Sequence, residues 1–539
     1  PLDIFPSSII ESLSVQKSYS PSMPAYFGGG NVDIRLKTIP SEFVFDVSAQ
    51  LGTNTNNFDD GIEYNGGSDD WYGSDDGTRA MPQSIMDIYN SGQSLDDLSS
   101  EQSRALALDL NRDYAPKSAR VNPNTKFTAT LGNSFEAGKW RYGFLSALSY
   151  DNKYLVGEEY QGEEYSITDS SMTMVRGYDD IISTEHSVKT SAMLNFGIEY
   201  DSAHKVDFTS MILRDTEDKI RDRVGFDQNN NQSDDKRVRS YDVRYEEREL
   251  IVNQVKGMHT FDWLNYAGFD WKYSNGRSNR YAPGNMETRF IVTDSNLDGI
   301  YDVPNESVLT NATTAARYTF QDLNDEVENY GFNFTLPIML DGIDIELKSG
   351  ADFISKERSA SNRRFDINTR AFNDIDLSGY KLNEVLSDDA IANAALNSTP
   401  ILNDTTVDGD DYESAQKIDA YYFEADFFFD NKWRVSGGIR WEDFRQVSVP
   451  LSPLTGGLAS SIDFDSLDEL AFQEDDIYGA LAFTYIQNAQ TQWRLSYGET
   501  VVRPDLREIS DSTYIDPLTE YPVGGTPGLR TTQIKNYDL

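Results

Sequence analysis

The chain contains no cysteine. Disulfides, thiolate nucleophiles and Cys-ligated metals are excluded with it. Histidine is nearly as scarce: His186, His204 and His259 stand far apart in sequence, which argues against a His-rich metal or haem site unless folding brings two together. Cations are few for the length, with 47 Lys plus Arg against 89 Asp plus Glu and a formal charge of −42. Nucleic acid is excluded as a partner on this ground, because phosphate contacts need cationic side chains. No apolar run approaches the roughly 18 residues of a membrane helix, and mean hydropathy is −0.56. No charged and then apolar leader opens the chain, which begins at Pro1; a targeting peptide is expected to be absent or already removed. There is no G-x-S-x-G, no H-E-x-x-H and no phosphate-cradling loop. No motif singles out two opposed carboxylates of the kind a glycosidase needs. Enzyme activity is therefore not expected, and no cofactor is required.

Aromatic residues are abundant at 12% of the chain, unlike acidic disordered chains, which have few. The dominant pattern is a period of two. In "SEFVFDVSAQLG", Phe43, Phe45, Val47, Ala49 and Leu51 share one face; in "KWRVSGGIRW", Trp433, Val435, Ile439 and Trp441 do. Side chains on a strand point alternately to opposite faces, so each segment carries one apolar and one polar face. Short turns such as "EAGK", "DSAH", "DGID" and "NK" join these segments into hairpins. The other connections are long and polar, at about 152–186, 215–238, 279–318, 368–414 and 448–474, and a loop at 53–123 carries a helix signal in "SSEQSRALALDL".

Short turns at one end and long loops at the other are the pattern of an outer-membrane barrel. Trp140, Trp433 and Trp493 stand just after short turns, and Tyr150, Tyr273 and Trp441 toward the opposite ends of their strands. Two aromatic girdles are predicted from this placement. The fold class is thus all-β: a transmembrane antiparallel β-barrel of about 13 strands, incomplete in this chain. The closing "IKNYDL" has the look of a strand's first residues, so the barrel is expected to continue past Leu539. The competing architecture is a soluble β-sandwich.

The opening "IFPSSIIESLSVQKSYSPSMPAYFGGGNVDIRLKT" resembles the last part of the plug of TonB-dependent outer-membrane receptors. "DDWYGSDDGTRAMP" and "YGETVVRPDLREISDSTYIDP", with Arg503-Pro504, resemble segments of large members of that family. The resemblance implies a plug inside a barrel of roughly 22 strands, with residues 1–40 the end of the plug and 41–539 the first two-thirds or so of the barrel. It implies the cell outer membrane as location and its lipid as surroundings. It also implies a TonB complex engaged through a box outside this chain, and energy-coupled uptake of a small ligand: a siderophore, oligosaccharide, peptide or vitamin. The alternative is a passive porin or barrel-based adhesin. Gly28, Gly29 and Gly30 are then the last sharp bend of the plug, where tight backbone approach and positive φ favour glycine.

Two loops carry metal-like spacing. Asp294, Asn296, Asp298, the Ile300 carbonyl and Asp302 follow a D-x-N-x-D-G calcium pattern. The twelfth position is Asn305, and Glu306 comes one residue late. Asp227, Asn229, Asn231 and Asp235 repeat the spacing without the glycine. Structural calcium and a solvated acidic loop are the two alternatives at both.

Overall fold

The computed structural model describes residues 10–168, 171–227, 236–293, 307–309, 316–372, 382–394, 400–459, 470–515 and 522–539. A hairpin of β1 (Ile10–Gln16) and β2 (Asn31–Leu36) comes first. Fourteen strands then form one antiparallel sheet in strict sequence order. They are β3 (Val44–Gly52), β4 (Asn124–Ala137), β5 (Trp140–Thr168), β6 (Ser171–Tyr200), β7 (His204–Asp227), β8 (Lys236–Phe261) and β9 (Ala267–Thr293), followed by β10 (Ala316–Leu340), β11 (Ile343–Ile367), β12 (Asp411–Phe429), β13 (Trp433–Leu451), β14 (Phe472–Asn488), β15 (Thr491–Val502) and β16 (Thr532–Asp538). Among the described residues the edge strands β3 and β16 do not pair with each other, so the sheet is open.

The tight turns explain the meander. Asp201–Ser202, Asn265–Tyr266 and Asp430–Asn431 each hold two consecutive residues at positive φ, the geometry whose twist matches the flanking strands. Alternation fixes the faces. On β7, Met211 and Leu213 are buried with Ile10 and Leu36 of the first hairpin, which defines the inner face. Phe208 and Ile212, of opposite parity, are exposed and define the outer one. The outer face is apolar for about ten residues from each short turn, as from Leu340 back to Phe332 and Tyr330. That height suits a tilted strand crossing a hydrocarbon core. Aromatics rim the band at both edges. Near the turns, Trp140 lies 4.7 Å from Tyr200 and Trp433 4.1 Å from Tyr485. At the other rim, Tyr330, Phe353, Tyr421 and Trp441 form a chain with centroids 5.3, 5.7 and 5.8 Å apart. The fold class is a transmembrane β-barrel sheet, open in this chain.

Much of what the sequence suggested as loop is strand. β5 continues to Thr168, β7 to Asp227 and β9 to Thr293, well beyond the band. Their inner faces are charged, so any window over them is polar although the strand persists. Residues 53–123 contain the expected helix, α2 (Ser100–Asp109), after α1 (Gln83–Asn90). Ser99 and Gln102 close a capping box at its start. This loop lies on the outer face, above the apolar band. Ile85, Leu106, Leu110 and Tyr114 pack on Ile220, Val243, Met286, Phe290, Tyr318 and Phe365, together with Leu382, Ile391 and Leu402. Each such aliphatic side chain contributes about 1.5–3 kcal/mol on burial. Residues 53–123, with 382–394 and 400–402, thus make a second core against the outside of the wall.

The crossing from the first hairpin to the wall needs room on the inner face. A Cβ on Gly197 would stand 2.5 Å from Ile39 Cδ1, and one on Gly143 2.7 Å from its Cγ2. Arg141 Nη2 donates to the Pro40 carbonyl at 2.9 Å. Gly197→Val should cost about 1–3 kcal/mol by overpacking, read as a lower thermal midpoint. Adding Ile39→Ala should restore part of it, because Asp207 Oδ1 would still lie 2.6 Å from the new Cβ; a double variant no better than the single would place the strain at Asp207.

Candidate functional site: the inner wall and the segment it holds

Alternation turns every second side chain toward the interior, and many of the charges there are paired. On one side the first hairpin covers Leu145, Ala147, Met193, Met211 and Leu213. On the other, Tyr19, Met23, Ala25 and Phe27 pack with Tyr478 and Val501. The Val501 amide donates to the Ala25 carbonyl at 2.9 Å, and Tyr26 bridges Val501 in parallel.

Beneath this segment lies a buried charge cluster. Arg440 Nε donates to Glu442 Oε1 at 2.5 Å, and Arg440 Nη1 to Asp352 Oδ2 at 3.2 Å. Arg503 Nη2 stands 2.7 Å from Glu442 Oε2. The Ala25 amide donates to Glu442 Oε1 at 3.0 Å, and Ser20 Oγ to Glu424 Oε2 at 2.8 Å. Arg440, Glu442 and Arg503 are each at most 5% exposed. Strand parity supplies Arg440 and Glu442 from the inner face of β13, and the β15 end supplies Arg503. The wall therefore grips the N-terminal segment by carboxylates that accept from its backbone and a serine.

Farther from the short turns, the inner face carries charges of alternating sign. Arg221 pairs with Asp242, Arg317 Nε donates to Asp366 at 2.9 Å, and Lys219 Nζ stands 2.7 Å from Glu159. Arg358 binds Asp325 at 2.6 Å and Asp505 at 2.8 Å. Burial opposes charge on Asp242, but Arg244, Arg221 and Arg223 outweigh it and hold its carboxyl well below the usual range. Such a wall offers fixed donors and acceptors of both signs.

The residues singled out by sequence fare differently. Gly29 has φ +113°, while Gly28 and Gly30 lie outside the left-handed region. Of these glycines, only Gly29 has a backbone shape that favours glycine. Asp294, Asn296, Asp298, Ile300 and Asp302 lie outside the described residues, as do Asn229, Asn231 and Asp235; Asp227 ends β7. Folding does bring two histidines together: His204 and His259 are register partners with rings 5.4 Å apart. His259 shares a hydrogen bond with Trp271 Nε1 at 3.1 Å, so the pair belongs to the aromatic belt near the turns. Among the described residues, no group of three or more His, Asp or Glu could hold a metal. The Glu442 cluster was not foreseen; only Arg503, in the quoted "VVRPD", carried a signal.

Comparison with known proteins gives a family. A search of curated proteins finds no match. Among solved structures, the chain is similar to the ferric citrate transporter FecA in its unliganded form, with 12% identity, 92% of this chain and 50% of that one covered, and a TM-score of 0.44. It is similar to the siderophore receptor PiuA from Acinetobacter baumannii, with 10% identity, 92% and 54% covered, and a TM-score of 0.45. For the RagAB peptide transporter the figures are 10%, 96%, 68% and 0.30. The chain spans about half the length of the first two. These likenesses are loose, and the assignment rests on sequence. The family model described as TonB dependent receptor-like, beta-barrel, matches residues 253–539, more than half of the chain, so this protein belongs to the TonB-dependent receptors.

Proposed function

We propose that this chain serves TonB-dependent uptake of a scarce polar ligand across the outer membrane, with residues 1–40 as the end of the plug and residues 41–539 as barrel wall. The carrying observation is the segment from Tyr19 to Phe27 seated against the inner wall by Glu442 and Glu424. A passive pore gains nothing from a segment gripped in its lumen, whereas a gated transporter needs one. A siderophore, oligosaccharide, peptide or vitamin each suits a wall of alternating charge. TonB would engage a box outside this chain, and the barrel would perform no covalent chemistry. The test is uptake of labelled candidates by cells carrying the full-length protein, with and without TonB. Uptake that persists without TonB favours the porin reading.

We also propose calcium at the two segments with metal-like spacing. Asp294, Asn296, Asp298, Asp302 and the Ile300 carbonyl supply oxygen ligands of the kind calcium takes, and Asp227, Asn229, Asn231 and Asp235 are the weaker set. Isothermal titration of purified protein should show calcium uptake that is lost when Asp294, Asp298 and Asp302 become alanine. Equal uptake by both proteins would sink the idea.

A further inference from the structure

The outer face carries a polar cavity of about 450 Å³ just above its apolar band. Its floor is one cross-strand row: Arg214 is opposite Glu249, Glu249 opposite Asn279, Asn279 opposite Asn324 and Asn324 opposite Ser359. Five strands, β7 to β11, thus contribute one residue each. Parity settles which way the row points. Leu213 and Leu250, adjacent to Arg214 and Glu249, pack inward around the first hairpin, so the row points away from the lumen. Depth follows from the strand rise. Arg277, also in the lining, is four residues beyond the half-exposed Tyr273 on the same face of β9. At roughly 3.4 Å per residue, with the tilt of barrel strands, that is about 10 Å above the aromatic rim. Residues 53–123 meet the wall at one edge of the cavity, where the Asp75 amide donates to Glu247 Oε1 at 2.5 Å.

We propose that this cavity binds the saccharide headgroup of an outer-leaflet glycolipid. The lining mixes donors and acceptors. Arg214 Nη2 reaches Glu249 at 2.6 Å, and Arg277 Nε reaches Asn324 Oδ1 at 3.1 Å. Sugar hydroxyls both give and accept hydrogen bonds, and carboxylates, carboxamides and guanidiniums together match them. A bare phosphate fits poorly, because Glu247, Glu249 and Asp322 outnumber Arg214 and Arg277 in the lining. A soluble cargo sugar has the same chemistry but the wrong address, since cargo must travel along the inner face. The lipid-borne source is the one that reaches an outward cavity at headgroup height, with its acyl chains on Phe332 and Tyr330 below. The inference rests on the bilayer placement of the wall and is independent of TonB coupling.

The experiment reconstitutes the full-length protein in nanodiscs containing a glycolipid with its core sugars, then measures co-purified glycolipid by mass spectrometry. Wild type should retain it at least tenfold better than Asn279→Ala/Asn324→Ala. Ser359→Trp, which fills the cavity without removing a charge, should lose it equally. A heat-modifiable band on gels verifies that both variants fold. The same lipid stripped of core sugars should be retained by none of the three proteins, and free core oligosaccharide should bind more weakly than the lipid-borne form. Equal retention by wild type and folded variants would overturn the proposal, as would retention of the stripped lipid. Free oligosaccharide that binds as tightly, with its uptake lost in the variants, would make the cavity a cargo site instead. Uptake that ignores TonB would defeat the transport reading alone.

Discussion

Arg79→Met should detach residues 53–123 from the wall and cost about 3–5 kcal/mol, the usual penalty for removing one partner of a buried ion pair. Arg79 is 1% exposed. Its guanidinium reaches Asp70 at 2.9 and 2.6 Å, Asp75 at 3.0 Å, Asp218 at 3.2 Å and the Tyr64 hydroxyl at 2.8 Å. It also lies 4.1 Å from the centre of the Tyr245 ring. Asp218 and Tyr245 belong to the wall; the other partners belong to the loop. Without the cation, three carboxylates share a buried pocket. Limited proteolysis should cut the variant between residues 53 and 123 while the strands stay protected, and Arg79→Lys should recover part of the loss, since a point charge cannot grip Asp70 with two nitrogens.

Asp218 should behave in the opposite way. Burial pushes its carboxyl up to about 6 despite the opposing charge of Arg79 beside it. An acid raised on folding stabilises the folded state fully below its unfolded value, near 3.9. That contribution is lost as pH rises through 6. Asp218→Asn should therefore match or exceed wild type in thermal midpoint at pH 7.5 and flatten the decline between pH 4 and 7. A fall as large as that of Arg79→Met would show that Arg79 needs all three carboxylates.

The wall was legible because alternation survives at the scale of single residues. Phe45, Val47 and Leu51 of β3 are exposed on the outer face, as their spacing required, and "SSEQSRALALDL" announced α2. The extent of the strands was not legible. In β8, inward Asp242, Arg244 and Glu246 alternate with outward Val243 and Tyr245, and the charges conceal a strand that the loop core covers. Nor could spacing say that residues 53–123 fold onto the outside. That depends on apolar patches far apart in sequence, such as Leu106 against Phe290 and Phe365. One local clue existed: Arg79 is the lone cation after Asp69, Asp70, Asp75 and Asp76, a composition that suits a shared counter-ion. The Glu442 cluster left almost none, because its members lie in three strands and its purchase on Ala25 is a backbone amide.

Glu442→Ala should release the segment from Tyr19 to Phe27. The carboxylate faces Arg440 and Arg503 and accepts from the Ala25 amide. Its removal leaves two guanidiniums, at most 5% exposed, and one backbone donor to find other partners, again a loss of about 3–5 kcal/mol. Glu442→Gln keeps the shape and one acceptor but not the charge, so it should fall between wild type and alanine. The readout is a cysteine at Met23, which is 8% exposed and should resist maleimide in the otherwise wild-type protein. Rapid labelling is expected once Glu442 is alanine, with the heat-modifiable band retained because the strands do not depend on this contact. Equal resistance of both proteins to labelling would mean that the apolar contacts of Tyr19, Met23 and Phe27 hold the segment alone. Under the proposed transport function the difference would set how readily the segment yields to a pull. A polar seat can exchange its hydrogen bonds for water one at a time as the segment is pulled, whereas an apolar seat must expose its whole face together. Slower uptake is expected with Glu442→Met than with Glu442→Gln at equal surface level; equal rates would mean that the polarity of the seat does not set the release.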